Sequence, residues 1–208
     1  HCGRFSRTQN LMNKIRNTIK DKRSNLSKKD VHSTSKLIVE KIQSFEFSKE
    51  LTKIGIYYPV KNEVDVHQLC EILWQENRQV FLPIIEKKKL LFGEYKDTSE
   101  LKNNRFHIPE PIVDQKFQIS AFELDLIFMP LIAFDPLGNR IGMGGGFYDR
   151  TLEKKILKNN EKNPILVGIA YEFQKYKKIE PNRWDIPLDM IFTESRIYHS
   201  DIDMDVSE

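Results

Sequence analysis

Apolar residues recur along this chain in two rhythms. Short continuous runs at 54–58 (IGIYY), 80–85 (VFLPII), 126–129 (LIFM) and 165–170 (ILVGIA) predict buried strands near 53–58, 80–85, 126–129 and 165–170. A further extended piece is expected at 90–95. Elsewhere the spacing lengthens to that of amphipathic helices. Leu11, Ile15 and Ile19 recur at four-residue steps beside the basic stretch 13–29, and Leu37, Ile38, Ile42 and Phe45 form a second stripe. Ser27, with Asp30 three residues later, reads as the capping box that starts this second helix, Asp replacing the usual Glu. Helices are also expected over 66–77 and from Phe147 towards Leu157. Strands alternating with helices predict one α/β domain with a mainly parallel sheet. The domain is expected over 11–199, with 1–10 a tag or disordered start and the acidic 200–208 a disordered tail.

Composition narrows the function classes. With 208 residues the chain can bury a substantial core, and 30% charged against 39% hydrophobic residues is an ordinary balance. The 33 basic and 30 acidic residues leave a formal charge of +3, which suits an anionic ligand without calling for nucleic acid. No apolar run approaches the roughly 20 residues of a membrane span. Cys2 and Cys70 lack metal-type spacing, so a reduced, cytoplasmic setting is expected rather than a disulfide framework.

The chemistry concentrates at 126–152, LIFMPLIAFDPLGNRIGMGGGFYDRTL. A buried strand stops at Pro130; Asp135, Pro136, Gly138 and Asn139 are turn residues; Gly142, Gly144, Gly145 and Gly146 follow; and a helix begins at Phe147. Glycines let backbone approach a ligand closely, and free N–H groups at a helix start favour phosphate. Arg140 before the loop and Arg150 behind it can add positive charge. The pattern is neither a dinucleotide fingerprint nor a P-loop, and the glycines alone fit a flexible surface turn equally well.

LIFMP followed by FDPLGNRIGMGGGFYDR closely resembles the signature of the 5-formyltetrahydrofolate cyclo-ligases, also called 5,10-methenyltetrahydrofolate synthetases, and the likeness runs from about Ile15 to about Glu194. The resemblance implies a three-layer α/β/α Rossmann-like domain that uses ATP and Mg²⁺ to cyclise 5-formyltetrahydrofolate. It assigns the nucleotide to Arg16, Arg140, the four loop glycines, Phe147 and Tyr148, with Arg140, Tyr148 and Asp149 in the catalytic set. The family opens with Lys-x-x-Leu-Arg; Ile15-Arg16 matches its end, Met12 replaces its Lys, and Lys14 is the candidate to compensate. Tyr58, Glu63, Phe106 and Tyr148 are implied to hold the folate, Glu63 because a carboxylate accepts paired N–H donors from an aminopyrimidinone ring. Asp149 and Asp185 are the implied magnesium ligands, with Trp184 where the commoner bacterial pattern has His.

Taken without the resemblance, the basic first helix reads as a solvated face, Glu63 as a loop carboxylate, and Phe106 as a core residue before a proline-stiffened loop. Two other functions also remain open on the residues. The same fold could serve a sugar phosphate or another acyl compound, or the basic helix could bind nucleic acid. The resemblance favours a folate substrate, its polyglutamate tail left open, a monomer, and neither nucleic acid nor membrane as partner.

Overall fold

The computed structural model describes residues 2–153 and 164–200. Its main helices are α1 (Cys2–Ser24), α2 (Lys28–Ser44), α3 (His67–Gln75) and α4 (Phe147–Leu152). The central sheet is built from β1 (Lys53–Gly55), β2 (Gln79–Glu86), β3 (Lys89–Tyr95), β6 (Leu126–Pro130), β9 (Ile165–Ile169), β10 (Met190–Phe192) and β11 (Ile197–His199). Two small ribbons pair β4 (Leu101–Asn103) with β5 (Pro109–Pro111), and β7 (Ala133–Phe134) with β8 (Arg140–Ile141).

The sheet order is β11-β10-β9-β6-β1-β2-β3. Strands β2, β1, β6, β9 and β10 are parallel, while β3 and β11 close the edges antiparallel. The sheet is therefore mainly parallel, as the alternation of elements predicts. The chain moves from β1 outward to β2 and β3, then returns to place β6 on the other side of β1. That reversal makes a crevice beyond the carboxyl ends of β1 and β6, where open α/β sheets bind ligands.

Side chains alternate between two cores, with the period of a strand. Leu126 and Phe128 face one core with Ile54, Ile56, Val80 and Leu82. Ile127 and Met129 face the other with Phe81 and Leu166. The first core is covered by Ile38, Val39 and Ile42 of α2 and by Leu69, Cys70 and Leu73 of α3. The second is closed by Leu152 of α4 and by irregular segments carrying Leu124, Ile186 and Leu188. This is a three-layer α/β/α arrangement whose second outer layer is mostly loop among the described residues. A third, smaller cluster seats Ile19 of α1 against Ile132, Ala133, Ile141 and Ile179, which brings α1 to the crevice.

Local departures from the expected elements have physical causes. The boundary within the basic stretch 13–29 is no departure: α1 ends at Ser24 and α2 starts after Ser27, whose expected capping box with Asp30 is fully formed. The apolar run 53–58 yields only the short strand β1. Ile56 still donates to the Phe81 carbonyl at 2.9 Å, and the chain then leaves the sheet towards Pro59. Conversely β2 extends to Glu86 through Pro83, because β1 pairs only with residues 79–81 and demands no N–H from the proline. The expected continuation of α4 to Leu157 lies outside the described residues from 154 onward, as does the tail from 201. Cys70 is free and buried, and burial pushes its thiol up to about 12, leaving it inert at neutral pH.

Candidate active site

A cavity of about 460 Å³ opens between α1, the glycine loop, α4 and the 180–185 segment. Its walls hold Arg16, Arg140, Gly142, Gly144, Gly146, Asp149, Arg150 and Asp185, together with Gln9, Met12, Pro181 and Trp184. The β7–β8 ribbon delivers Arg140. Its turn is organised by Asp135, which is fully buried and accepts from the N–H groups of Leu137, Asn139 and Ile179 and from the Asn139 amide. Gly138 closes that turn at φ 83, where an added Cβ would lie 2.4 Å from the Leu188 carbonyl oxygen. No other residue fits there.

Arg140 spans two walls: Nη1 donates to the Ile186 carbonyl, and Nη2 meets Asp149 Oδ1 at 2.8 Å. The Ile186 N–H donates to the same Asp149 oxygen at 3.2 Å. Asp185 Oδ2 accepts from the backbone and side-chain nitrogens of Asn182. Among the described residues no hydrogen bond reaches Asp149 Oδ2 or Asp185 Oδ1. Across the cavity, Arg16 Nε donates to the Gly142 carbonyl at 2.9 Å and Nη1 to Asn13 at 2.8 Å. Gly144, at φ 104, faces this guanidinium so closely that an added Cβ would touch it, 3.9 Å from Arg16 Nε. Arg150 acts differently, bonding the carbonyls of Lys88 and Gly145 and lying 5.4 Å from the Phe147 ring centroid. It braces the loop from behind while still reaching the cavity wall.

Tyr58, Glu63, Phe106 and Tyr148 do not line this cavity. Glu63 is buried, pairs with Arg23 of α1 at 3.4 Å and accepts from the Val60 N–H at 3.1 Å. Burial raises its pKa, with Arg23 and the Val60 N–H opposing the rise. Burial likewise pushes the Tyr148 phenol well above its ordinary value; the Glu63 charge adds to this and Arg140 opposes it. The Tyr148 hydroxyl is therefore protonated at neutral pH. Tyr58 packs edge-on against His67 with ring centroids 5.1 Å apart. Phe106 is 49% exposed, and its ring meets Phe147 at 5.9 Å, so the alternative of a core phenylalanine does not hold. Phe147 itself packs under Gly145 rather than facing the cavity.

Lys14 is the expectation that the geometry corrects. Two residues turn about 200° round a helix, so Lys14 leaves α1 on the side opposite Met12 and Arg16, exposed and outside the cavity wall. Among the described side chains of α1, Arg16 is the basic one that lines the cavity. Arg23 was hidden in the reading of a solvated basic face, yet it is 2% exposed. Its seven-residue spacing from Arg16, about two helical turns, was the available signal.

Three comparisons bear on these residues. The family model described as 5-formyltetrahydrofolate cyclo-ligase family matches residues 8–194. The 5-formyltetrahydrofolate cyclo-ligase of Haemophilus influenzae is 35% identical over 177 residues, 84% of this chain and 92% of that protein. The Escherichia coli K12 protein of the same name is 36% identical over 148 residues, 70% of this chain and 79% of its own length. Among solved structures, the 5,10-methenyltetrahydrofolate synthetase of Aquifex aeolicus superposes with TM-score 0.79 at 28% identity, covering 95% of this chain and 97% of that one. The Mycoplasma pneumoniae synthetase superposes with TM-score 0.68 at 26% identity, covering 88% and 98%.

Proposed function

The chain belongs to the 5-formyltetrahydrofolate cyclo-ligase family, and from that premise we propose that it converts 5-formyltetrahydrofolate to 5,10-methenyltetrahydrofolate with ATP as co-substrate. The observation that supports this most is one cavity where Arg16, Arg140 and Arg150, three loop glycines, Asp149 and Asp185 converge beside the crevice at β1 and β6. Guanidinium groups and close backbone suit a triphosphate. Gln9, Met12, Pro181 and Trp184 offer a less charged wall for the adenine, so the two departures from the family pattern would meet the base rather than the phosphates.

The chemistry requires little of the protein beyond placement. A formamide oxygen is a poor leaving group. When the formyl oxygen attacks the γ-phosphorus, the bond to the β-phosphate oxygen breaks and ADP leaves. The neighbouring folate nitrogen then attacks the formyl carbon and loses its proton; the carbon–oxygen bond breaks and inorganic phosphate departs. No protein nucleophile enters. Arg140 and Arg16 would offset the negative charge at the transferring group, and Tyr148 would donate a hydrogen bond between the two substrates. Glu63, Tyr58 and Phe106 would hold the folate.

Among the described residues no group of three or more His, Cys, Asp or Glu forms a metal cage. Magnesium takes one or two carboxylates and completes its shell with phosphate oxygens and water. Asp149 and Asp185, each presenting one oxygen without a protein partner, fit that need, and the ion would neutralise phosphate charge. No described helix is long and apolar enough to cross a membrane, and we assign the enzyme to the cytoplasm as a monomer.

The test is near-ultraviolet absorbance of the purified protein with 5-formyltetrahydrofolate and magnesium, with and without ATP. The methenyl product carries a conjugated chromophore that the substrate lacks. An ATP-dependent rise is expected. A flat trace from folded, ATP-binding protein would redirect the site to another phosphate-activated carbonyl compound.

A further inference from the structure

Arg23 departs from every expectation for a charge on a surface helix. It is 2% exposed, and it is spent on one loop. Nε donates to the Lys61 carbonyl at 3.2 Å, while Nη2 donates to the carbonyls of Val60 at 3.2 Å and Lys61 at 2.9 Å and pairs with Glu63 at 3.4 Å. Nη1 is buried without a partner, the one such side-chain atom among the described residues. The loop it grips is bent sharply: Lys61 and Asn62 both stand in the left-handed region, at φ 51 and 56. Such backbone persists only when its surroundings over-determine it. Here the Asn62 amide also donates to the Arg23 carbonyl at 2.9 Å, so residue and loop hold each other from both ends.

We propose that Arg23 is a positioning residue for folate: it fixes the 60–63 loop and holds Glu63 in place, ionised, for the N–H edge of an aminopyrimidinone ring. This rests on the reading of Glu63 as the pterin contact. A buried carboxylate with no cation beside it takes up a proton, and a protonated acid cannot accept two N–H donors. The groups around Glu63 do not replace Arg23. Tyr57, Tyr148 and Tyr171 approach from other elements as neutral phenols, their pKa values raised by burial; Lys61 and Asp65 flank it in its own loop with opposite charges. A lone lysine offers no fork with which to span two carbonyls and a carboxylate.

The test measures equilibrium binding of 5-formyltetrahydrofolate and of ATP, separately, to the full chain from pH 5 to 8. Variants are Arg23→Gln, Arg23→Lys, Glu63→Gln and the Arg23→Lys/Glu63→Gln pair, with folding checked by circular dichroism. Arg23→Lys is expected to weaken folate binding about tenfold while ATP binding stays within about twofold, the loss expected of misplacement. In Arg23→Gln the acid-side loss of folate affinity should move to higher pH. On the Glu63→Gln background, Arg23→Lys should add almost nothing, since coupled residues are not additive. If Arg23→Gln does not fold, the lysine variant and the pair decide the matter. Additive losses, equal weakening of both ligands, or an unmoved acid limb in a folded Arg23→Gln would overturn the proposal. Unchanged folate affinity in Glu63→Gln would instead remove Glu63 from the folate site, a separate failure.

Discussion

Single residues carry most of the site's charge arithmetic. Asp149 holds Arg140 and the Ile186 N–H through one oxygen and presents the other to the cavity. Asp149→Asn keeps shape but removes the charge that pairs with the Arg140 guanidinium and that the proposed magnesium would need. Turnover should fall by at least about a hundredfold, in the range of losing one preorganised electrostatic group, while the circular dichroism spectrum is retained. Full activity would take Asp149 out of the proposed site. Gly138 predicts the opposite profile. Its φ of 83 and the Leu188 carbonyl leave no room for a methyl group, so Gly138→Ala should cost about 1–3 kcal/mol of stability, read as a lower denaturation midpoint.

What the sequence showed at this scale follows from how each residue works. Arg16, Arg140, Asp149 and Asp185 line one cavity although they come from three separate segments, so the fold and not their spacing brings them together. Lys14 failed because sequence proximity was allowed to outrank helical geometry. The buried role of Arg23 and the reach of Asp135 beyond its own turn were not readable, because most of their partners are backbone groups. Those carbonyls and N–H groups belong to loops whose path no side-chain pattern discloses.

Elements set where those residues point. The start of α3 is held by Asp65, whose Oδ1 accepts from the His67 N–H at 3.0 Å and meets its ring nitrogen at 2.6 Å. The hydrogen bond to Asp65 raises the His67 pKa, and the same bond lowers that of Asp65. The signs follow from linkage. The His67 contribution is complete below its unfolded value of about 6.5 and fades as pH rises through its higher folded value. The Asp65 contribution is complete above its unfolded value of about 3.9 and fades as pH falls through its lower folded value. The pair therefore stabilises most between those limits. Urea midpoints measured across pH should show Asp65→Asn losing stability relative to the parent near pH 5 and converging with it above the folded His67 value. An equal difference at all pH values would assign the loss to packing.

Elements are most legible in the sequence where burial is continuous. The strands at 80–85, 126–129 and 165–170 and the Ser27 cap were all readable in advance. The ribbon of β7 and β8 was not, since two-residue strands carry no periodicity. Yet that ribbon delivers Arg140.

For the whole molecule, the cavity lined by Arg16, Arg140 and Asp149 and the buried Arg23–Glu63 pair are separate groups that both draw on α1. The chain has two tryptophans, Trp74 and Trp184. Trp74 is fixed remotely by its bond to the Tyr95 carbonyl, whereas Trp184 is 56% exposed on the cavity wall. ATP should therefore change the protein's intrinsic fluorescence, and Trp184→Phe should abolish the change while Trp74→Phe preserves it. Survival of the signal in Trp184→Phe would move the adenine elsewhere.

The bond between Arg16 and the Gly142 carbonyl joins residues 126 positions apart. Arg16 precedes that loop in the chain, so its guanidinium must wait for the segment up to Gly142 before it finds its partner. Closing so long a loop is unfavourable until the sheet has already brought its ends together. The Arg16–Gly142 contact is thus assembled late, after β1, β2, β3 and β6 that precede the loop in the chain. Any ligand held jointly by α1 and the glycine loop has to wait for that closure, so affinity for it should appear only with tertiary structure and not with helix α1 alone.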